Sequence, residues 1–215
     1  AQARARVRLR AVVLGLSEME ASNEFELSRG LLSECQTVLA SGAALTEAPT
    51  YGQAMLILLD SLQPWQETRF LLDQHHILPV LGLLGETEPL LPVQVMGSDA
   101  LVNLGTAIPV VSQVPEGVLV LSVNVAADSG KSYDVDIPQG ALRRLLVPVG
   151  EQVTLTLEPA LGADVGAGLG IARQVRVRAG ALGVVIDARG RPLALPEKDD
   201  ERIERMRHWL WSLGG

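Results

Sequence analysis

The sequence predicts an α+β protein: an α/β part over residues 1–108, then a β-rich, sandwich- or barrel-like module over residues 109–215 that ends in a helix. Three observations predict it. Before residue 108, apolar residues recur mostly at helical spacing, interrupted by short strands. After it, runs such as QVTLTLE and RQVRVR alternate apolar with polar residues, and turn signals recur every ~8–12 residues. From Pro196 the helical period returns.

The bulk numbers fit this class. A chain of 215 residues forms one large domain or two small ones. At that size about 70% of the unfolded surface is buried, so no disulfide or metal is required for stability. Aromatics make up only 3%, so the core rests on Leu, Val, Ile and Ala, and a stacking surface for single-stranded nucleic acid is disfavoured. The net charge of −7 argues against a nucleic-acid or anionic-membrane binder. Arg4, Arg6, Arg8 and Arg10 are a local exception. Their spacing suits one face of a strand whose other face is buried, or a basic interaction arm. The single cysteine, Cys35, excludes an internal disulfide or a multi-cysteine zinc site. It is expected to be a small core residue on a helix. No apolar run of ~18 residues marks a membrane span, and no secretory leader pattern is visible. A cytoplasmic setting is expected. The chain begins with Ala, which suggests a fragment or a processed product.

In order along the chain, Glu26 to Gln36 predicts a helix and Thr37 to Ala40 a short strand ending at Ser41-Gly42-Ala43-Ala44. In GQAMLILLDSLQP, Met55, Leu58, Leu59 and Leu62 lie on one helical face, and Pro64 stops the helix. Phe70, Leu71 and Ile77 to Leu84 suggest a further helix with Pro79 near its start. Val93 to Leu104 reads as helix or strand, with a turn near Gly105. Val118 to Val125 is a buried strand returned by Asp128-Ser129-Gly130-Lys131 into SYDVDI. Val153, Leu155 and Leu157 face inward, as do Val175 and Val177 opposite Arg173, Arg176 and Arg178. Leu182 to Ile186 and Leu193 to Leu195 flank Asp187-Ala188-Arg189-Gly190 and read as a β-hairpin. In the last helix Ile203, Met206, Leu210 and Leu213 form an apolar stripe.

Few motifs carry chemistry. Asp187 and Arg189 at the hairpin tip are candidate ligand or partner contacts for a phosphate or metal, and equally suit a plain turn. The small residues after the strand at 37–40 allow a backbone or planar ligand to approach closely. The Gly-Ala-Gly-Leu-Gly at 166–170 lies between β segments and opens no helix, so it reads as a loop. Gly130-Lys131-Ser132 lacks the upstream glycine of a phosphate loop and reads as a hairpin turn. His75-His76 has only Asp73 nearby in sequence, so no metal site is expected. Asp60 is read as a solvated or capping carboxylate. Trp209 and Trp211 cannot share a helix face, so one is buried and the other is free to anchor a partner. No catalytic residue is assigned.

Taken in order, TVLASGAALTEAPTYGQAMLILLDSLQP, FLLDQHHILPVLGLL, ALVNLGTAI, ADVGAGLG and ALGVVIDARGRPLALP resemble the C-terminal part of the glutamate mutase-associated MutL family, unrelated to the mismatch-repair protein of that name. The resemblance covers about residues 30–213. It implies an actin/Hsp70/sugar-kinase-like ATPase fold in the full-length protein, with residues 1–108 as part of one lobe. It implies that Ser41, Gly42, Ala43 and Ala44 form the turn that receives adenosine; this chain has Ala43 where family members show a consecutive glycine. The phosphate motifs of that fold belong to an earlier lobe, so this chain by itself is expected to be noncatalytic. The implied role is accessory: assembly or reactivation of a B12-dependent carbon-skeleton mutase, with ATP and Mg as cofactors of the full-length protein. The implied partners are the mutase, the missing N-terminal lobe or other protein subunits. The alternative is a protein-interaction or structural module that does not bind nucleotide.

Overall fold

The computed structural model describes residues 35–214. The basic stretch Arg4–Arg10 and most of the helix expected over 26–36 lie outside the described residues. Residues 36–215 form one compact unit.

Its elements in chain order are β1 (Thr37–Ala40), α1 (Ala43–Thr46), α2 (Tyr51–Leu62), β2 (Thr68–Leu72), α3 (Leu78–Leu84), α4 (Leu90–Met96), β3 (Val102–Pro109), β4 (Val111–Ser112), β5 (Leu119–Ala127), β6 (Ser132–Pro138), β7 (Leu142–Leu145), β8 (Gln152–Pro159), β9 (Ala163–Asp164), β10 (Arg173–Arg178), β11 (Val184–Asp187) and α5 (Asp199–Ser212). The fold is α+β, as the sequence predicts.

Two open sheets organise these elements. The first has the order β1-β2-β3-β11-β7, with β1 parallel to β2 and β3 parallel to β11. The second is antiparallel, in the order β10-β8-β5-β6. Its strands carry the expected alternation: Val153, Leu155 and Leu157 are fully buried while their neighbours face out. A short β4–β9 pair stands apart. The five-stranded sheet takes β1 and β2 from before residue 108 and β7 and β11 from after it.

The core lies on both faces of that sheet. Val184 and Ile186 of β11 join Ile108 and Leu145 in packing against Val123, Val125 and Leu157 of the antiparallel sheet. Val185, between them, points the other way and joins Phe70 and Leu104 beneath Met55 and Leu59 of α2 and Trp209 of α5. Helices, mixed sheet and antiparallel sheet therefore form three layers. A central strand apolar on both sides is what such layering demands.

α2 forms where the 3.6-residue stripe predicts it. The Thr50 side chain accepts from the Gln53 amide at 3.2 Å, and Gln63, at φ 46°, closes the helix one residue before Pro64. Gly52 lets it lie close to α5, because a Cβ there would stand 3.2 Å from that of Leu213.

Several expectations are corrected. Phe70 and Leu71 belong to β2, where Thr68, Phe70 and Leu72 are buried at period two, and the helix begins only at Leu78. Gly105 is not a turn but an interior residue of β3, at φ 137°, because a Cβ there would come within 2.7 Å of the Gly183 carbonyl oxygen. Cys35 is half-buried and lies outside any helix. The hairpin at 182–195 does not form. β11 already has β3 and β7 on its two sides, so no edge is open to a returning strand, and residues 191–195 run as turn and coil. On the C-terminal helix, Leu213 is buried, but Ile203 and Met206 are exposed, and Trp209 is the main inward anchor.

Candidate functional site

β1 and β2 are parallel, so their C-terminal ends emerge on the same edge of the sheet, where open α/β sheets offer a ligand crevice. Residues 41–46 follow β1 and residues 73–77 follow β2. The two loops are tied together. Ser41 Oγ donates to Asp73 Oδ2 at 3.4 Å, Gln74 Nε2 donates to the Thr46 carbonyl at 2.8 Å, and Thr46 Oγ1 lies 3.3 Å from His76 Nε2.

Gly42 carries the turn. Its φ of 115° and ψ of 147° suit glycine alone, and its carbonyl accepts from the Leu45 and Thr46 amides at 2.9 and 3.0 Å to start α1. Nothing stands within 4 Å of where a Cβ would be. Ser41, Gly42, Ala43 and Ala44 are all exposed, so the structure presents the predicted turn as an open backbone edge.

Asp73 is the residue at this edge that sequence reasoning undervalued. Its side chain is buried, and its two oxygens accept from the Ile77 amide at 2.8 Å and the Leu78 amide at 3.0 Å, at the start of α3. Burial pushes the carboxyl up. The two amides, the neighbouring His76 and the Ser41 hydroxyl outweigh it and hold the group below its ordinary value. Asp73 thus fixes both loops rather than facing a ligand. Asp73 stands five residues before Leu78 and outside the cap position held by Ile77, so only the folded loop brings its carboxylate to the Ile77 and Leu78 amides.

Beside the turn runs an apolar groove of about 690 Å³, walled by Ala43, Ala44, Gln53, Leu56, Met206 and Leu210. Gln53 Oε1 is buried there without a hydrogen-bond partner among the described residues.

Asp187 and Arg189 lie elsewhere, beneath α2 and α5. Both side chains are fully buried. Asp187 Oδ1 and Oδ2 accept from Arg189 Nε and Nη2 at 2.9 and 3.0 Å, and Oδ2 also accepts from Arg191 Nη2 at 2.8 Å. Arg189 Nη1 donates to Asp60 at 2.7 Å, and its guanidinium sits 4.7 Å from the Trp209 ring centre. Arg191 Nε donates to the Pro64 carbonyl at 3.0 Å. Asp60, expected as a solvated or capping group, is therefore one member of a two-Asp, two-Arg cluster. Burial raises the Asp187 carboxyl, but Arg191 and Arg189 overcome it and hold it well below the carboxylate range. Burial likewise lowers the Arg189 guanidinium, and Asp187 and Asp60 more than reverse this. The polar atoms of this cluster are directed at one another, which makes it a junction of four chain segments.

The remaining motifs fall as loops. Gly130 and Lys131 lie in the β5–β6 turn and Ser132 opens β6, and Gly166–Gly170 is a loop whose amides at 166, 167 and 168 all donate to Asp164 Oδ1. His75 and His76 are exposed, and no group of three metal-ligating side chains occurs among the described residues. No helix of the described residues is long and apolar enough to cross a membrane.

Over residues 15–100 the chain is similar to the family described as MutL protein. The MutL match contains β1, the Ser41–Ala44 turn, α2, β2 and Asp73, and stops short of β3 and the antiparallel sheet. No curated protein and no solved structure matches the chain.

Proposed function

We propose that this chain is the noncatalytic C-terminal portion of a MutL-like accessory or reactivation factor for a B12-dependent glutamate mutase, working in the cytoplasm. In this reading Ser41, Gly42, Ala43 and Ala44 take the adenosine side of ATP, and the phosphates and Mg lie against an N-terminal ATPase lobe outside this chain. The mutase and that lobe are its partners.

One observation carries the reading. The MutL match includes a strand–glycine–helix turn that stands open at the C-terminal ends of two parallel strands. A base or ribose can approach this backbone without meeting side-chain bulk. The polar side chains within the two loops are the Ser41 and Thr46 hydroxyls, the Gln74 amide, a carboxylate already accepting two amides and a pair of histidines. They supply none of the converging cations that phosphoryl transfer requires.

Calorimetric titration of ATP–Mg into the chain tests it. Weak binding with negligible hydrolysis is expected, and Gly42→Asp is expected to abolish the heat while leaving the far-UV circular dichroism spectrum unchanged. Rapid turnover by the chain alone would refute the noncatalytic assignment. Binding indifferent to Gly42→Asp would remove adenosine from the turn.

A second reading, an interaction module without nucleotide, is favoured by the α3–α4 pair. Val80, Leu83, Leu90 and Val93 are all more than half exposed there, an apolar surface of the kind that protein partners cover. No binding heat in the titration would support it.

A further inference from the structure

The outer face of α5 changes sign along its length. Asp200, Ile203, Glu204, Arg207 and Trp211 recur every three or four residues, which puts them on one side of the helix. All five are exposed, Trp211 at 77%. The opposite side holds Trp209 and Leu213 against the core. Other charges of this helix are already paired: Lys198 with Glu201 at 2.9 Å, Arg202 with Asp199, and Arg205 with Glu116 at 2.9 Å. Glu204 and Arg207 form no ion pair among the described residues. The exposed face therefore runs from acidic Asp200 past Ile203 to acidic Glu204, turns basic at Arg207 and ends in an exposed indole.

We propose that this face joins two copies of the chain, with α5 packed antiparallel against α5 of the second copy across a two-fold axis. The charge order selects that arrangement. A parallel pair would set Glu204 beside Glu204 and Arg207 beside Arg207. An antiparallel pair centred between Arg205 and Met206 sets Glu204 of each copy against Arg207 of the other. The same register lays Trp211 over the Asp200–Ile203 turn of the opposite helix. A two-fold contact repeats every pairing, so one helix face supplies two ion pairs and two indole contacts. Trp and Arg are the residues that most often dominate such contacts. Leu146, 72% exposed, and Arg143 line the same surface pocket as Trp211 and extend the apolar and basic end of the patch. The inference does not depend on nucleotide binding.

Sedimentation velocity on the 215-residue chain tests it. A concentration-dependent monomer–dimer equilibrium is expected, weakened roughly tenfold or more by Glu204→Arg or by Arg207→Glu, each of which makes two like-charge contacts. Trp211→Glu is expected to weaken it as well. The double variant Glu204→Arg/Arg207→Glu should restore the dimer. An equimolar mixture of the two single variants should form a heterodimer, since each then meets its opposite charge twice. All of these positions are exposed, and circular dichroism reports that the fold is retained. A chain monomeric at every concentration, a dimer indifferent to both reversals, or failure of the double variant to recover would each overturn the proposal.

Discussion

Arg189 Nη1 lies 2.7 Å from Asp60 Oδ1, joining the segment after β11 to the last turn of α2 across 129 residues of chain. The same guanidinium forks onto Asp187 and stacks on Trp209, so sheet, α2 and α5 meet at one charge. Removing Asp187 would leave two guanidiniums buried with too few acceptors. Asp187→Ala is expected to destabilise the chain by about 3–5 kcal/mol, against about 1–3 kcal/mol for Asp60→Ala, since Arg189 then keeps Asp187. Urea midpoints at pH 7 measure both. Equal effects would mean that Asp60 anchors the cluster as much as Asp187 does.

The carboxyls of Asp187 and Asp73 are both held below their ordinary values in the folded chain. A depressed folded value means that the stabilisation is fully present above the unfolded carboxyl's pKa of about 3.9 and is lost as pH falls toward the folded value. Stability of the chain is expected to fall steadily below about pH 4. Asp73→Asn should flatten part of that slope and bring the two stabilities closer together at low pH. Unfolding free energies across this range give the slopes directly, and an unchanged slope in Asp73→Asn would contradict the assigned cause.

Three glycines, Gly105, Gly180 and Gly183, let the approach to β11 pack against the backbones of β3 and β7. A Cβ on Gly183 would stand 2.2 Å from the Leu145 carbonyl oxygen, and one on Gly180 would stand 2.3 Å from the Gly105 amide nitrogen. Backbone cannot yield as a side-chain tip does. Gly183→Ala is expected to cost at least about 2 kcal/mol and Gly180→Ala a similar amount. Gly42→Ala, whose Cβ would enter open space, is expected to cost only its conformational strain of about 1–3 kcal/mol. Thermal melts of the three variants rank them.

What the sequence makes legible follows from period. The strict alternation of β8 and β10 and the stripe of α2 were readable because each buries a single regular face. β2 was not: its five residues run into a Leu-rich helix, and so short an apolar segment suits either period. Gly105 reads locally as a turn, and only the approach of Gly180 and Gly183, more than seventy residues later, shows why a strand needs it. Asp187 and Arg189 read as a polar tip, because the pattern does not show that Arg191, Asp60 and Trp209 close around them. The Ser41–Ala44 turn was visible as small residues after a strand. Its link to Asp73 depends on β1 and β2 being parallel, which no local pattern states.

The turn after β1 also yields the sharpest test of the nucleotide reading. Ala43 is exposed and is the first residue of α1, so its methyl group supports no core packing. If adenosine lies against this backbone, removing the methyl brings the ligand closer, and Ala43→Gly is expected to tighten ATP binding. A gain of about threefold to tenfold corresponds to roughly 0.6–1.4 kcal/mol. A bulky side chain at the same place, as in Ala43→Trp, should have the opposite effect. Titration calorimetry on the pair separates contact at the turn from binding elsewhere. If both variants bind ATP as the parent chain does, the nucleotide touches neither the turn nor the groove that Ala43 walls, and the adenosine assignment falls.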